Sequence, residues 1–285
     1  MSDVLILGAN GQLGSDLIKI FIANQVNHIG VTRKEFDVSN DDIENLKKYK
    51  AKYIINCVAT TDVDGAEINS ELAFSVNSNF VYKLAKFCQE NAIILFHIST
   101  DYVFDGTNTL KYSEDYRPNP LNIYGLSKYT GELALQNYHD KFFIFRVSSL
   151  FGISGASGKG GNFVTTMRKL GVTRDSISVI ADQITCPTST LDIARAICNF
   201  VLTGITDYGI YNCVSSNSCS WYEFTREIFR LSEIDVDKVT KTSFNEYSFI
   251  AKRPQYGMLD ISKLSKYYKM PTWQDALHEY ITLLK

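Results

Sequence analysis

The sequence predicts an α/β protein built on a doubly wound parallel sheet, with a smaller C-terminal lobe. Two observations carry that reading. In the first half, five short apolar runs alternate with segments long enough for a crossover helix, the pattern of successive β-α-β units. After residue 150 the texture changes to a glycine-rich loop and then to mixed helices and short strands. A chain of 285 residues can hold a full α/β domain and a second lobe over one extended core.

The runs in order are Val4–Leu7, Asn27–Val31, Tyr53–Cys57, Ile93–Ile98 and Phe142–Val147. Between the first two, a helix over Leu13–Ala23 gathers Leu13, Leu17, Ile20 and Phe21 on one face. A helix before the fourth run carries Val81, Leu84, Ala85, Phe87 and Cys88, and another opens at Tyr124 after the turn Arg117-Pro-Asn-Pro120. Residues Gly152–Gly161 hold five glycines, a flexible loop by composition and placed to close over a site. Beyond it, helices are expected at Leu191–Val201, Trp221–Leu231 and Trp273–Leu284, with a strand at Ile210–Val214. The chain is thus expected to divide into 1–150, rejoined by parts of 185–215, and a lobe over 151–285 that is mainly substrate-binding.

Composition narrows the function classes. With 45% hydrophobic residues, 13% aromatics and a formal charge of −2, nothing suggests a nucleic-acid or anionic-membrane partner. The N-terminal residues lack a basic region and a long apolar run, and no stretch approaches the ~18 apolar residues of a membrane span, so a cytoplasmic protein is expected. Six cysteines and four histidines are scattered without metal-ligand spacing, so no metal site is expected from them.

The chemistry concentrates at strand ends. Gly8-Ala-Asn-Gly11-Gln-Leu-Gly14 lies between the first strand and first helix, where glycines let backbone amides approach a pyrophosphate and the helix N-terminus supplies free N–H groups. Its G-x-x-G-x-x-G spacing is a variant of the common dinucleotide fingerprint. Arg33 and Lys34 follow the second strand, where cations accommodate a ribose 2′-phosphate. NADPH is therefore favoured, with NADH open and ordinary solvated charge as the alternative reading.

Tyr124 and Lys128 stand one helical turn apart, a spacing repeated at Tyr82 and Lys86. A tyrosine near its ordinary pKa of about 10 is a poor proton shuttle at neutral pH, and a neighbouring ammonium lowers it. Ser99, Thr100 and Asp101 end the fourth strand, where doubly wound folds bind ligands, and Tyr124 follows soon after. Tyr82 and Lys86 sit instead on a packing helix. The first pair is therefore read as chemical and the second as structural.

These residues give the chain a resemblance to the extended short-chain dehydrogenase/reductase family. It rests on Gly8–Gly14, on Ser99-Thr-Asp-Tyr-Val-Phe-Asp-Gly106, and on Pro120-Leu-Asn-Ile-Tyr124-Gly-Leu-Ser-Lys128 followed by Gly131-Glu132. Val63-Asp64, Ala66-Glu67, Asn162-Phe163, Asp182-Gln183, Pro187-Thr188, Arg253-Pro254 and Leu259-Asp260 extend it along nearly the whole chain. The resemblance implies a Rossmann-like fold and a catalytic triad of Thr100, Tyr124 and Lys128, with Lys128 lowering the Tyr124 pKa and orienting the cofactor ribose. It implies an NAD(P)H-dependent reductase of a nucleotide-linked 4-keto-6-deoxysugar. Implied cofactor contacts are Gly8, Asn10, Gly11, Gln12, Leu13 and Gly14 at the turn, then Arg33, Asp37, Val38, Val58, Ala59 and Thr60, with Tyr124 and Lys128.

Implied substrate contacts are Thr100, Asp101, Ser149, Asn162 and Arg253. Tyr102, where related dehydratases carry Glu, implies simple reduction. Two departures concern the substrate pocket: Ser149 stands where the family usually has Trp, and Thr60 where an aromatic residue or His is commoner. Losing an aromatic wall enlarges the pocket or exposes it. Other readings on this scaffold are a 4-epimerase, another nucleotide-sugar reductase, and a non-catalytic subunit like the regulatory beta subunit of methionine adenosyltransferase. A homodimer is open, and so is an interfacial magnesium, which no carboxylate cluster places.

Overall fold

The computed structural model describes residues 3–154 and 161–284. Residues 155–160 of the glycine-rich loop lie outside them, and with them the expectation of a closing loop. Six parallel strands form the central sheet: β1 (Val4–Leu7), β2 (His28–Val31), β3 (Tyr53–Asn56), β4 (Ile94–Thr100), β5 (Phe142–Val147) and β6 (Gly209–Asn212). Their order is β6-β5-β4-β3-β1-β2. The predicted α/β class is the one observed. The chain winds one way from β1 to β2 and the other way from β3 onward, so a crevice opens where the order reverses, beyond the carboxyl ends of β1 and β3.

Burial on both faces explains why the strands read as continuous apolar runs. Side chains alternate across the sheet. Val4, Ile6, Tyr53, Ile55, Phe96, Phe143 and Phe145 join one core, shared with Leu13, Leu17 and Phe21 of helix α1 (Gln12–Ala23). Leu5, Leu7, Ile54, Leu95 and Ile144 join the opposite core.

That second core is covered in part by α4 (Phe80–Glu90). Two shorter helices precede it, α2 (Val63–Ile68) and α3 (Ser70–Phe74), and a π-helical turn, Ser75–Asn79, runs between α3 and α4. Helix α5 (Ile123–Tyr138) leads into β5.

The predicted strand at 210–214 is β6, in parallel register with β5 from Gly209 opposite Phe143 to Asn212 opposite Arg146. After β5 come α6 (Phe163–Thr173), α7 (Thr190–Thr203), α8 (Trp221–Leu231) and α9 (Trp273–Leu283). A third core joins Phe151, Val164, Phe224, Phe229, Trp273 and Leu277. Helix α6 was not anticipated from apolar spacing; its signal is the cap, in which Asn162 and Thr165 bond each other's backbone reciprocally.

Candidate active site

The glycine turn is built for close approach. Gly8 has φ +76°, a conformation open to glycine, and a Cβ there would lie 3.3 Å from the Cys57 carbonyl carbon. A Cβ on Gly14 would collide with the Gly8 carbonyl oxygen, so helix and turn pack backbone to backbone. The Gly8 and Ala9 N–H groups bond the Val31 carbonyl, which ties the turn to β2. Gly11 caps α1 with no side-chain hydrogen bond, leaving the N–H groups of the first helical turn to other acceptors. Gln12 Oε1 and Thr60 Oγ1 are buried with no hydrogen-bond partner among the described residues. The open helix end suits an anion and the unpaired Gln12 oxygen suits a hydroxyl donor, two kinds of group that a dinucleotide carries together. Arg33 is exposed and reaches Asp37 at 3.2 Å, free to turn towards an anion.

Helix α5 starts at a fixed point. Asn122 accepts from the Gly125 N–H (2.7 Å) and donates to the Lys252 carbonyl (2.7 Å), while Glu67 accepts from the Ile123 N–H (2.8 Å). Buried Asn77, in the π-helical turn, donates to the Thr60 carbonyl (3.1 Å) and to Ser127 Oγ (3.0 Å), linking the segment after β3 to α5. Tyr124 thereby faces the end of β4. Its ring meets Tyr102 edge to face at 5.7 Å. Burial pushes the Tyr124 phenol upward; the Thr100 hydroxyl works against that shift and the Asp101 charge adds to it.

Lys128 shares the helix face but not the contact expected of it. Its Nζ donates to the Ile98 carbonyl at 2.6 Å and lies 3.3 Å from His97 Nε2. The sequence reading put this ammonium at the Tyr124 phenol. A buried amine needs an acceptor, and the strand carbonyl supplies one here. Burial brings the Lys128 pKa down to about 8, against the opposing influence of Glu132 and Cys57.

The end of β4 separates its residues by face. Ser99 donates to Glu132 at 2.5 Å, and Glu132 is paired inside the protein with Arg146 (2.7 Å), so Ser99 belongs to the structural side rather than the crevice. Thr100 accepts from the Tyr102 N–H (3.2 Å) and donates to Asp101 (3.1 Å). Asp101 also accepts from Ser148 (2.7 Å), and burial raises its pKa to about 6. Ser149, in a left-handed conformation with φ +46°, is held by a hydrogen bond to Thr185, whose hydroxyl also meets Ser148 at 3.0 Å. Hydroxyl groups therefore line the place where an aromatic wall was missing.

Two expected substrate contacts have other partners. Arg253 donates to Asp64 at 2.7 Å, with its guanidinium 5.9 Å from the Tyr102 ring centroid. Asn162 caps α6 and donates to the Gly152 carbonyl (2.9 Å) and the Tyr280 hydroxyl (3.0 Å). The competing pair behaves as a surface contact, with Lys86 5.6 Å from the Tyr82 ring. Sequence reasoning gave no role to Asn77, His97, Ser148 or Thr185. A polar residue inside an apolar run was the available signal for His97, whereas the others are brought in by tertiary contact. Among the described residues no group of three or more His, Cys, Asp or Glu is set to hold a metal, and no helix is long and apolar enough to cross a membrane.

Residues 1–285 match the family described as the RmlD substrate binding domain. The chain belongs to this family. It is a branch of the extended short-chain dehydrogenase/reductases that the motifs resembled. The chain is 36% identical to a dTDP-4-dehydrorhamnose reductase of Aggregatibacter actinomycetemcomitans, with 97% of each chain covered. Among solved structures, a dTDP-4-dehydrorhamnose reductase from Clostridium acetobutylicum superposes with a TM-score of 0.91 at 36% identity, covering 99% of both chains. Another from Bacillus anthracis, solved in complex with NADP, has a TM-score of 0.90 at 36% identity and covers 99% of this chain and 100% of its own.

Proposed function

We propose that this member of the RmlD family is an NADPH-dependent reductase of a dTDP-linked 4-keto-6-deoxysugar, acting as a dTDP-4-dehydrorhamnose reductase. The observation that carries the reading is Tyr124 beside Thr100 at the carboxyl end of the sheet, next to a glycine turn that admits a pyrophosphate. Relatives of the same length and activity support the substrate class.

The residues that would hold the dinucleotide are Gly8, Gly11, Gln12 and Gly14 at its pyrophosphate, Val58 to Thr60 alongside it, and Arg33 at a 2′-phosphate. When bound, NADPH supplies the hydride that reduces the ketone carbon. Tyr124 protonates the oxygen on which negative charge develops, and Thr100, by turning its single hydroxyl hydrogen away from Asp101, donates a hydrogen bond to it. Burial keeps the Tyr124 phenol protonated but makes it a weaker acid, so donation draws on groups that stabilise its anion, of which the Thr100 hydroxyl is in place here. Tyr102, unlike a carboxylate in its place, supplies no acid or base for water elimination. The hydroxyls of Ser148, Ser149 and Thr185 leave a polar wall for the sugar.

A screen of dTDP-, UDP-, GDP- and CDP-linked 4-keto-6-deoxysugars with NADPH, followed at the nicotinamide absorbance, tests this. Oxidation fastest with the dTDP sugar is expected. No oxidation with any of the four classes would end the enzymatic reading.

A further inference from the structure

The groups around Lys128 must agree on where their hydrogens sit. The Val58 N–H donates to Asn56 Oδ1 at 3.1 Å, which turns the amide nitrogen Nδ2 towards His97 Nδ1, 3.2 Å away. An amide nitrogen only donates, so Nδ1 accepts, and a neutral imidazole then carries its hydrogen on Nε2. Burial keeps His97 neutral, far below the ordinary histidine range. That Nε2–H faces Lys128 Nζ at 3.3 Å, while Nζ itself donates to the Ile98 carbonyl.

An Nε2–H is satisfied by a neutral amine and opposed by an ammonium, which only donates. To meet an ammonium, His97 must bare Nε2 and move its hydrogen to Nδ1. The hydrogen on Nδ1 then confronts Asn56 Nδ2, so the amide turns over and the Val58 N–H loses its acceptor.

We propose that His97 is a positioning residue for Lys128: the charge of the lysine, the tautomer of His97 and the Asn56 to Val58 hydrogen bond change together. The arrangement seen here is that of the neutral amine. The other ionisable groups facing Lys128 do not supply a rival switch. Burial pushes the Cys57 thiol up to about 12, and Glu132, on the same helix, is engaged by Arg146 and Ser99. Lys128 itself, down to about 8, changes charge within an accessible range.

Val58 begins the segment assigned above to the cofactor, so the charge on Lys128 is communicated to that segment. This consequence rests on the reductase reading, whereas the coupling itself does not.

The test follows the imidazole nitrogen shifts of 15N-histidine-labelled protein and the Val58 amide signal, without substrate or cofactor, from about pH 6 to pH 11, spanning the ordinary histidine and lysine values. The expected result is an Nε2–H tautomer at high pH passing to Nδ1–H at low pH, with the Val58 amide moving at the same midpoint. In Lys128→Met the inflection should vanish. One tautomer throughout, an imidazolium, a Val58 midpoint that differs, or an inflection surviving in Lys128→Met would each overturn the proposal. Should Lys128→Met fail to fold, the wild-type tautomer and Val58 readouts still decide. NADPH turnover without this coupling refutes the coupling alone; the coupling without turnover refutes the reductase reading alone.

Discussion

Asp101 is buried at the end of β4, where its carboxylate takes hydrogen bonds from Ser148 and Thr100. Burial raises its pKa from 3.8 to about 6 in spite of them. A raised value means that the folded state holds the proton more tightly. The stability this contributes is complete below about pH 4 and is lost as pH rises to about 6. Asp101→Asn keeps an acceptor for Ser148 without the charge. It should therefore gain on the wild type between pH 4 and pH 7 by on the order of 2–3 kcal/mol, read from urea unfolding at both pH values. An equal difference at the two would contradict the assignment.

Arg33 offers a second test at this scale. Among the described residues its exposed guanidinium pairs with Asp37, so Arg33→Ala should weaken NADPH binding roughly tenfold while hardly changing NADH, the effect of one charge-assisted contact. Equal effects would make Arg33 a surface charge. The difference between Ser99 and Thr100 could have been read from strand alternation, because adjacent residues point to opposite faces. The direction of Lys128 could not, since it depends on the Ile98 carbonyl and on His97, thirty-one residues away along the chain.

At the level of elements, α5 carries Tyr124 and Lys128, and its position depends on what grips it. One grip is the Glu132–Arg146 pair, which joins α5 to β5 with both partners fully buried. Replacing one partner leaves an unpaired buried charge. Arg146→Met should cost about 3–5 kcal/mol in chemical denaturation, and replacing Glu132 with Leu as well should recover most of it. A single variant as stable as the wild type would remove the pair from the account. The other grip is the Asn122 cap, where Asn122→Ala should lower stability by about 1 kcal/mol or more, since it also releases the Lys252 carbonyl. Helices α1 and α4 were legible from apolar spacing, whereas α5 was placed by the turn before it, since most of its buried residues are glycine or polar. Helix α6 was less legible, because only Val164 and Gly171 of its residues are buried and its start is marked by a polar cap.

For the molecule as a whole, the parallel sheet followed from alternation of runs and helices, and its switch of direction located the crevice. The contacts closing the C-terminal region over it were not readable. Asp64 meets Arg253 and the Ala251 N–H, and Asn122 meets Lys252, pairs separated by more than a hundred residues with no local pattern to join them. The proposed sugar-binding surface is assembled in the same non-local way, by hydrogen bonds that join Asp101, Ser148, Ser149 and Thr185.

In the proposed function this assembly makes Tyr124 the proton donor in a ketone reduction. This role is tested most directly by comparing wild type and Tyr124→Phe for NADPH oxidation with dTDP-4-keto-6-deoxy-L-mannose, alongside NADPH binding measured separately. A loss of roughly 10²–10⁴-fold in turnover is expected, with binding of NADPH nearly unchanged. Near-normal turnover in Tyr124→Phe would contradict it.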